Sequence, residues 1–520
     1  MAHLGDSSAA AVERLERAIR EAANSGYQLD GEAFKLLQDA AENLAVEKLV
    51  QQIIEKCNAL PEKPIFLTAA MVKAALGEVQ PETKEASIGI GQEAFHAYAS
   101  EVGSQVKVLE DYTDLLSSKG TVDDFLRYFR SRFARIKRLF RQRLDVRDAI
   151  SIADAMGVDL NKDIKIICMV TEKREMRKGL LIQIEDEQDR AAVIVPPNAN
   201  TSVIEKSQRI LLDQVLCVCA KRIGENRFSA TDFIWPDIPE RRFKSSTEPV
   251  CAALISDLHI GSRMSLEDPL QRFVSWLRGE VGTARQQDLA GRVKYVVIAG
   301  DLVDGVGIYP NQERELLIPD VYKQYEKVAG YLEQIPEYVE VIIIPGNHDA
   351  TRQALPQPSI SKDYGAPLYK GGRYVMLSDP ARVLLHGVEL LLFHGRSLDD
   401  VISTVPGVSY RELDTTVHRA MELLLRSRHL APTYGGRTPL APEPVDFLVI
   451  ENPPDIFQCG HVHVVDYELY RGTLIINSGA WQSQTEYQRK MGLTPKPGIA
   501  PIVDLQTLQV FSMDFTALGA

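Results

Sequence analysis

Five short motifs hold the side chains most able to do chemistry. They are Asp257-Leu258-His259, Gly300-Asp301-Leu302-Val303-Asp304, Gly346-Asn347-His348-Asp349, His394-Gly395 and Gly460-His461-Val462-His463, and they contain five of the ten histidines. Carboxylate, amide and imidazole groups are the oxygen and nitrogen ligands that divalent transition metals prefer. One Asp-x-His alone reads as chance. The whole series, each member directly behind an apolar run, reads as a metal centre. His386, His418 and His429 lie outside the motifs and read as ordinary core or surface histidines.

The elements that must position these groups are apolar strands. VCAALISD, KYVVIAGD, VEVIIIPGN, VELLLFHG, DIFQCGH and GTLIINSG alternate with helical stretches through residues 249–520. Most end in polar residues, as expected of an α/β sandwich with its functional groups on the loops after strand ends. The chain is therefore multidomain α+β. Ahead of the sandwich, residues 160–238 hold five short β-type runs, which predict a small closed barrel of the oligonucleotide/oligosaccharide-binding (OB) type. Such barrels bind single strands through aromatic and basic grooves. Few aromatics are present here, so a scaffold role is as good a reading. The basic turn Lys173, Arg174, Arg177, Lys178 fits either an exposed hairpin tip or a DNA contact. Cys217 and Cys219 are two apart in an apolar run, one face of a strand.

Residues 122–150 contain a basic amphipathic helix. Phe125, Phe129, Phe133, Ile136, Phe140 and Leu144 recur at spacings of three and four and line one face. Arg127, Arg130, Arg132, Arg135, Lys137, Arg138, Arg141 and Arg143 cover the rest. This surface suits DNA phosphates or an acidic partner, or is simply the solvated face of a packed helix. Residues 1–76 read as a helical N-terminal module, with Val12, Leu15 and Ile19 on one face and Leu37, Leu44 and Val50 continuing the pattern. Residues 77–121 lose periodicity and collect Pro, Gly, Ser and Thr, a linker signal.

The 520 residues are 45% hydrophobic and 25% charged, an ordinary globular balance. The net charge of −12 argues against a protein that coats nucleic acid non-specifically. It is unevenly spread: residues 1–126 carry −10, 127–147 carry +8, 148–250 carry −2 and 251–520 carry −8. The N-terminus lacks a signal-peptide pattern and no apolar run is long enough to span a membrane. None of the six cysteines forms a C-x-x-C pair, so a cysteine zinc site is not expected. Buried thiols in a cytoplasmic protein, with no membrane partner, are the expectation.

The order of the five motifs resembles the calcineurin-like metallophosphoesterase superfamily over residues 251–480. That resemblance implies two divalent ions, with Mn²⁺ the usual metal of the related nucleases. Asp257, His259, Asp301 and His463 would hold the first. Asp301 as a bridge, with Asn347, His394 and His461, would hold the second. His348 would sit over the scissile phosphate as the catalytic residue rather than as a ligand. Asp304 or Asp349 could pair with it, although Asp349 is slightly better explained by a turn-closing hydrogen bond. A helical module, a barrel and a phosphoesterase in that order resemble the B subunits of replicative DNA polymerases. The stretches DDFLRYFRSRF, ISDLHIGS, HLAPTYGGRTPLAPEPVDFLVIENPPDIFQCGHVH and TEYQRKMGLTPKPG are similar to small subunits of archaeal family D DNA polymerases. This implies a 3′–5′ exonuclease subunit that acts on the primer 3′ end. It would bind a large catalytic polymerase subunit and reach a sliding clamp through the holoenzyme. A metallophosphatase, or a structural B subunit with a vestigial site, are the alternatives.

Overall fold

The computed structural model describes residues 95–518 apart from Lys178, and short segments between residues 15 and 75. The chain divides into two units, Met1–Glu93 and Ala94–Ala520. In the first, strands β1 (Gln28–Leu29) and β2 (Phe66–Leu67) pair in parallel and accompany helices Gly31–Ala40 and Val46–Asn58. Leu37 and Val50 of the expected apolar pattern are buried with Ile53, Ile54 and Val72. Val12, Ile19 and Leu44 lie outside the described residues.

The predicted linker 77–121 needs correction from residue 95 onward; residues 77–94 lie outside the described ones. Helix Tyr98–Glu101 is followed by strand β3 (Val106–Glu110), which pairs antiparallel with β13 (Ala381–Leu385). Tyr98, Val102 and Val106 pack on the apolar layer of the sandwich. The segment looked like linker because β3 is a five-residue edge strand whose middle three side chains are exposed. An edge strand of that kind needs no alternating apolar face.

Strands β4 (Asp163–Met176), β5 (Gly179–Glu185), β6 (Arg190–Val195), β7 (Val215–Arg222) and β8 (Arg227–Ile234) form a closed barrel in the order β4-β5-β6-β8-β7. Its interior is aliphatic, built on Ile166, Ile182, Val193 and Val218 with Phe228 and Phe233. Of the basic turn, Lys173 is tied to the carbonyls of Gln208 and Ile210, and Lys178 lies outside the described residues.

The basic helix runs Val122–Arg141 and starts at a reciprocal Thr121/Asp124 cap. Its stripe Phe133, Ile136 and Phe140 packs on barrel residues Ile167, Met169, Val215 and Cys217. Leu144 does not extend that stripe: the helix has ended, and the side chain is 79% exposed. Part of the expected solvated charge is tied to the rest of the molecule instead, and one arginine is internal. Arg132 is fully buried, paired with Asp446 at 2.8 Å, with Tyr128 Oη accepting at 2.9 Å. Arg135 and Arg138 both reach Glu451, and Arg143 donates to the carbonyls of Trp235 and Pro236. The helix is a strut between barrel and sandwich.

The sandwich has two six-stranded sheets. The first contains β9 (Cys251–Ile255), β10 (Val293–Ala299), β11 (Glu340–Ile344) and β12 (Tyr374–Met376), all parallel. The second contains β3, β13, β14 (Val388–Leu392), β15 (Ile456–Cys459), β16 (Val465–Tyr470) and β17 (Thr473–Ser478). Strands β18 (Ile499–Asp504) and β19 (Val510–Asp514) complete the first sheet beside β9. Val297, Ile342, Leu390, Ile456 and Ile476 fill the layer between the sheets. Helices cover the outer face of each sheet over separate cores. The parallel strands are buried on both faces, hence their near-continuous Val/Ile/Leu runs. The C-terminal ends of β9, β10, β11, β14 and β15 open on one shared rim.

Candidate metal centre

Each motif begins within two residues of the end of one of those strands. The turns that follow are sharp. Asp257, His259, Asp301, His461 and His463 all have φ between 45° and 71°. Left-handed backbone at non-glycine residues costs energy and gathers at functional sites. Glycine provides the remaining room: a Cβ on Gly346 would lie 2.2 Å from Asp301 Oδ1, and one on Gly460 would lie 2.5 Å from Asp257 Oδ2.

The structure brings all seven candidate ligands together, with His348 beside them. Asp257, His259 and His463 form one group, and Asp301, His394 and His461 another. In the first, His259 Nε2 and His463 Nε2 face each other at 3.1 Å. Asp257 Oδ1 lies 3.3 Å from His463 Nε2 and 3.8 Å from His259 Nε2. That oxygen is buried and has no hydrogen-bond partner, while Oδ2 accepts from the His461 amide at 2.9 Å. The other face of His259 meets Asp304: Nδ1 lies 3.1 Å from Oδ1, and a carboxylate only accepts, so the proton sits on Nδ1. His259 Nε2 is thereby left as the atom aimed at Asp257 and His463.

In the second group, His394 Nδ1 donates to the Ala299 carbonyl at 2.8 Å, which again leaves Nε2 for the site. Asn347 Oδ1 is 3.0 Å from it and Asp301 Oδ2 3.3 Å. Asp301 Oδ2 is also 3.7 Å from His259 Nε2, so this one carboxylate stands between the groups. Its other oxygen accepts from the His348 amide.

The electrostatics fit a cation site. Burial opposes ionisation of Asp257 and Asp301, yet neighbouring histidines outweigh it and hold both carboxyls far below their usual range. Burial likewise disfavours charge on His259 and His394. Asp257 and Asp304 nevertheless raise His259 to about 10, and Asp301 raises His394 to about 10. Protons held this firmly between carboxylates occupy the place a metal takes, since ligands release protons as metal binds. The donor set of carboxylates, imidazoles and one amide, with an orphaned buried oxygen aimed into it, suits divalent transition metals as a class.

His348 takes a different role. Its Nδ1 donates to the Asp304 backbone carbonyl at 2.8 Å, and its ring packs edge-on against His259 at 4.6 Å. Neither expected carboxylate partner reaches it. Asp304 spends its carboxylate on His259, Gln312 and Gln482. Asp349 closes the turn, accepting from the amides of Gly346 and Leu302, with Tyr325 Oη donating to its other oxygen. Burial lowers the pKa of His348, so the ring is neutral near pH 7.

Sequence reasoning missed several contributors. Asp399 Oδ2 lies 3.2 Å from His461 Nε2, and its Oδ1 accepts from Tyr410 Oη at 2.6 Å. Gln488 places its amide nitrogen 2.8 Å from His463 Nδ1. The one available signal was the acidic pair Asp399-Asp400 five residues after His394. His386 and His429 are core histidines, and His418 bonds Asp466. The site opens into a cavity of about 620 Å³ whose wall also holds Arg396, Arg437 and Tyr487.

The described residues thus form a two-sheet α/β sandwich with a polar cluster on its strand ends. A family model for the B subunits of DNA polymerases alpha and epsilon matches residues 252–464. The DNA polymerase II small subunit of Archaeoglobus fulgidus is 38% identical over 479 residues, covering 91% of this chain and 92% of that one. Its counterpart from Halobacterium salinarum is 34% identical over 519 residues, covering 96% and 98%. This chain belongs to the family of DNA polymerase II small subunits. The Pyrococcus horikoshii member is 40% identical over 398 residues, 76% of this chain, and the chain spans less than two thirds (63%) of that relative's length. Among solved structures, a novel archaeal phosphodiesterase aligns at TM-score 0.26 and 13% identity, covering 51% of this chain and 99% of that one. Vps29 of Entamoeba histolytica, complexed with zinc, aligns at TM-score 0.23 and 13% identity, covering 51% and 99%. Both likenesses are distant. No described helix is long and apolar enough to cross a membrane.

Proposed function

We propose that this chain is the 3′–5′ exonuclease subunit of a two-subunit replicative DNA polymerase, hydrolysing the terminal phosphodiester of the primer strand. The carrying observation is the convergence of two donor groups on Asp301, with the buried Asp257 Oδ1 lacking any hydrogen-bond partner. Asp257, His259, Asp301 and His463 would hold one divalent ion, and Asp301, Asn347, His394 and His461 a second. Two such ions, Mn²⁺ foremost, supply a water of lowered pKa and neutralise charge on the phosphoryl oxygens. The chain's own residues do the rest. Fixing Nδ1–H of His348 on the Asp304 carbonyl leaves Nε2 with a free lone pair, able to take a proton from the attacking water and pass it to the leaving 3′ oxygen. Asp304 orients His259, and the Ala299 carbonyl orients His394.

Family membership supports a large catalytic subunit as partner and the primer 3′ end as substrate, with the sliding clamp reached through the assembled polymerase. The barrel, read as OB-type, would guide the strand. Arg127, Arg130 and Arg141 of the strut helix have no ion pair among the described residues and are its free charges toward DNA or the large subunit. The cytoplasm is the expected compartment.

The test is release of nucleotides from a 3′-mismatched primer–template with Mn²⁺, with and without the large subunit. Stepwise release is expected, abolished by Asp301→Ala and reduced about 10²–10⁴-fold by His348→Ala. Rapid hydrolysis of a phosphomonoester with DNA left intact would make the chain a phosphatase. Neither reaction, together with stimulation of the large subunit, would make it a structural subunit.

A further inference from the structure

We infer that Arg396 and Arg437 form a phosphate subsite on the cavity wall, which holds the phosphate neighbouring the scissile one and so selects polynucleotides. This rests on the phosphodiesterase reading above and names the substrate feature that the metal groups cannot read.

The observations concern where the positive charge of the cavity lies. Most described arginines with restricted exposure are neutralised: Arg132 by Asp446, Arg241 by Asp455, Arg292 by Asp504, Arg352 by Glu443 and Arg382 by Glu389. Arg396, half-buried on the cavity wall, has no ion pair. Its Nη1 donates to the Gln353 carbonyl at 2.7 Å and to Gln353 Oε1 at 3.2 Å. Nε and Nη2 have no acceptor among the described residues. A guanidinium pinned by one nitrogen, with the edge formed by Nε and Nη2 open, is shaped for bidentate recognition of a phosphate.

Arg437 stands on the same wall, exposed and without an ion pair. Its Nη1 lies 3.3 Å from Tyr410 Oη, the hydroxyl that also bonds Asp399. The loop that carries it is fastened, because Asp400 accepts from the amides of Arg437 and Thr438, and Thr438 Oγ1 donates to the Arg396 carbonyl. Both arginines are thus held to the segment that starts at His394. Arg396 is two residues from that histidine, within about 7 Å along an extended chain. A scissile phosphate at the metal groups leaves the next phosphate of a strand one nucleotide away. The floor of the cavity is acidic and the open cations are on this wall, so a second phosphate has one place to go. Tyr487, 65% exposed on the same cavity, offers a flat apolar face to a base.

The test compares two substrates of the full-length chain with Mn²⁺. One is a short single-stranded oligonucleotide. The other is the p-nitrophenyl ester of thymidine 5′-phosphate, which has one phosphodiester and no neighbouring phosphate. The ratio of kcat/KM values, oligonucleotide over ester, should fall about tenfold in Arg396→Ala and in Arg437→Ala, and more in the double variant. Arg396→Lys should recover only part of it, because lysine keeps the charge and loses the fork. The salt dependence of oligonucleotide binding, read by fluorescence anisotropy, should lose about one phosphate contact per arginine removed. Because Arg437 is exposed, its variant separates the idea from any folding defect of Arg396→Ala. An unchanged ratio and salt slope in Arg437→Ala and Arg396→Lys, with wild type cleaving both substrates, overturns the subsite and leaves the exonuclease reading standing. A wild type that cleaves the ester but neither binds nor cleaves the oligonucleotide overturns both.

Discussion

At Gly460 the chain has no room for a side chain: a Cβ there would stand 2.5 Å from both Asp257 Oδ2 and Ser256 Oγ. Neither atom can yield freely, because Asp257 is fully buried and its Oδ2 already accepts from His461. Gly460→Ala should therefore displace one proposed ligand without removing any. Mn²⁺ affinity, measured by titration calorimetry, is expected to fall about 10–100-fold, the range seen when ligand supports are lost. Unchanged affinity would mean that Asp257 is not a ligand. At this scale the sequence was highly legible. Asp257, His259, Asp301, Asn347, His394, His461 and His463 all meet because each lies just past a strand end of one sandwich, and strand ends are easy to read. The orienting partners were not legible. Asp399, Gln482 and Gln488 come from helices or loops whose approach is set by tertiary packing, and apart from the acidic pair at Asp399-Asp400 nothing local marks them.

Among the elements, the Val122–Arg141 helix changed most between sequence and structure. Its periodicity and aromatic stripe were plain, but its seven basic residues looked alike, and only packing separates buried Arg132 from exposed Arg130. Arg132, Asp446 and His429 form a buried network, with His429 Nε2 2.8 Å from the same carboxylate oxygen that Arg132 holds. Arg132→Ala would leave Asp446 charged and buried, so a loss of about 3–5 kcal/mol is expected in denaturant unfolding. The same network predicts a pH effect. Burial, aided by Arg132, lowers His429 to about 4, so the folded chain keeps it neutral while the unfolded chain protonates it near pH 6.5. The unfolded state then binds more protons, and stability should decline as pH drops from about 6.5 toward about 4. Comparing the melting temperature of wild type and His429→Gln across that window checks the sign: the variant should show the shallower decline. Strand β3 is the opposite case, an element hidden in the sequence because an exposed five-residue edge carries no alternating pattern.

Across residues 94–520, barrel, strut helix and sandwich share hydrogen bonds that cross every boundary. Gln214 of the barrel region bonds Ser427 of the sandwich, Arg132 spans Asp213 and Pro432, and Arg428 of the sandwich reaches the Asp237 carbonyl. These parts should unfold together. Calorimetry is expected to give one transition for this unit, with the barrel's loss of structure coinciding with the sandwich's; two separated transitions would show that the strut does not couple them. The composition could not announce this. The −12 charge and the domain order describe pieces, whereas the coupling depends on which arginines turn inward.

The left-handed turns at Asp257, His259, Asp301, His461 and His463 bear on how the protein drifts under mutation. Each such residue costs roughly 1 kcal/mol that a glycine would not. Selection for foldability alone would erode these positions, because many replacements there would make the metal-free chain harder to melt. In a deep mutational scan, variants that gain thermal resistance while losing the proposed nuclease activity should gather at these five positions more than at other buried polar sites. Their persistence in a chain is then a sign of use, and a descendant released from catalysis would shed them first.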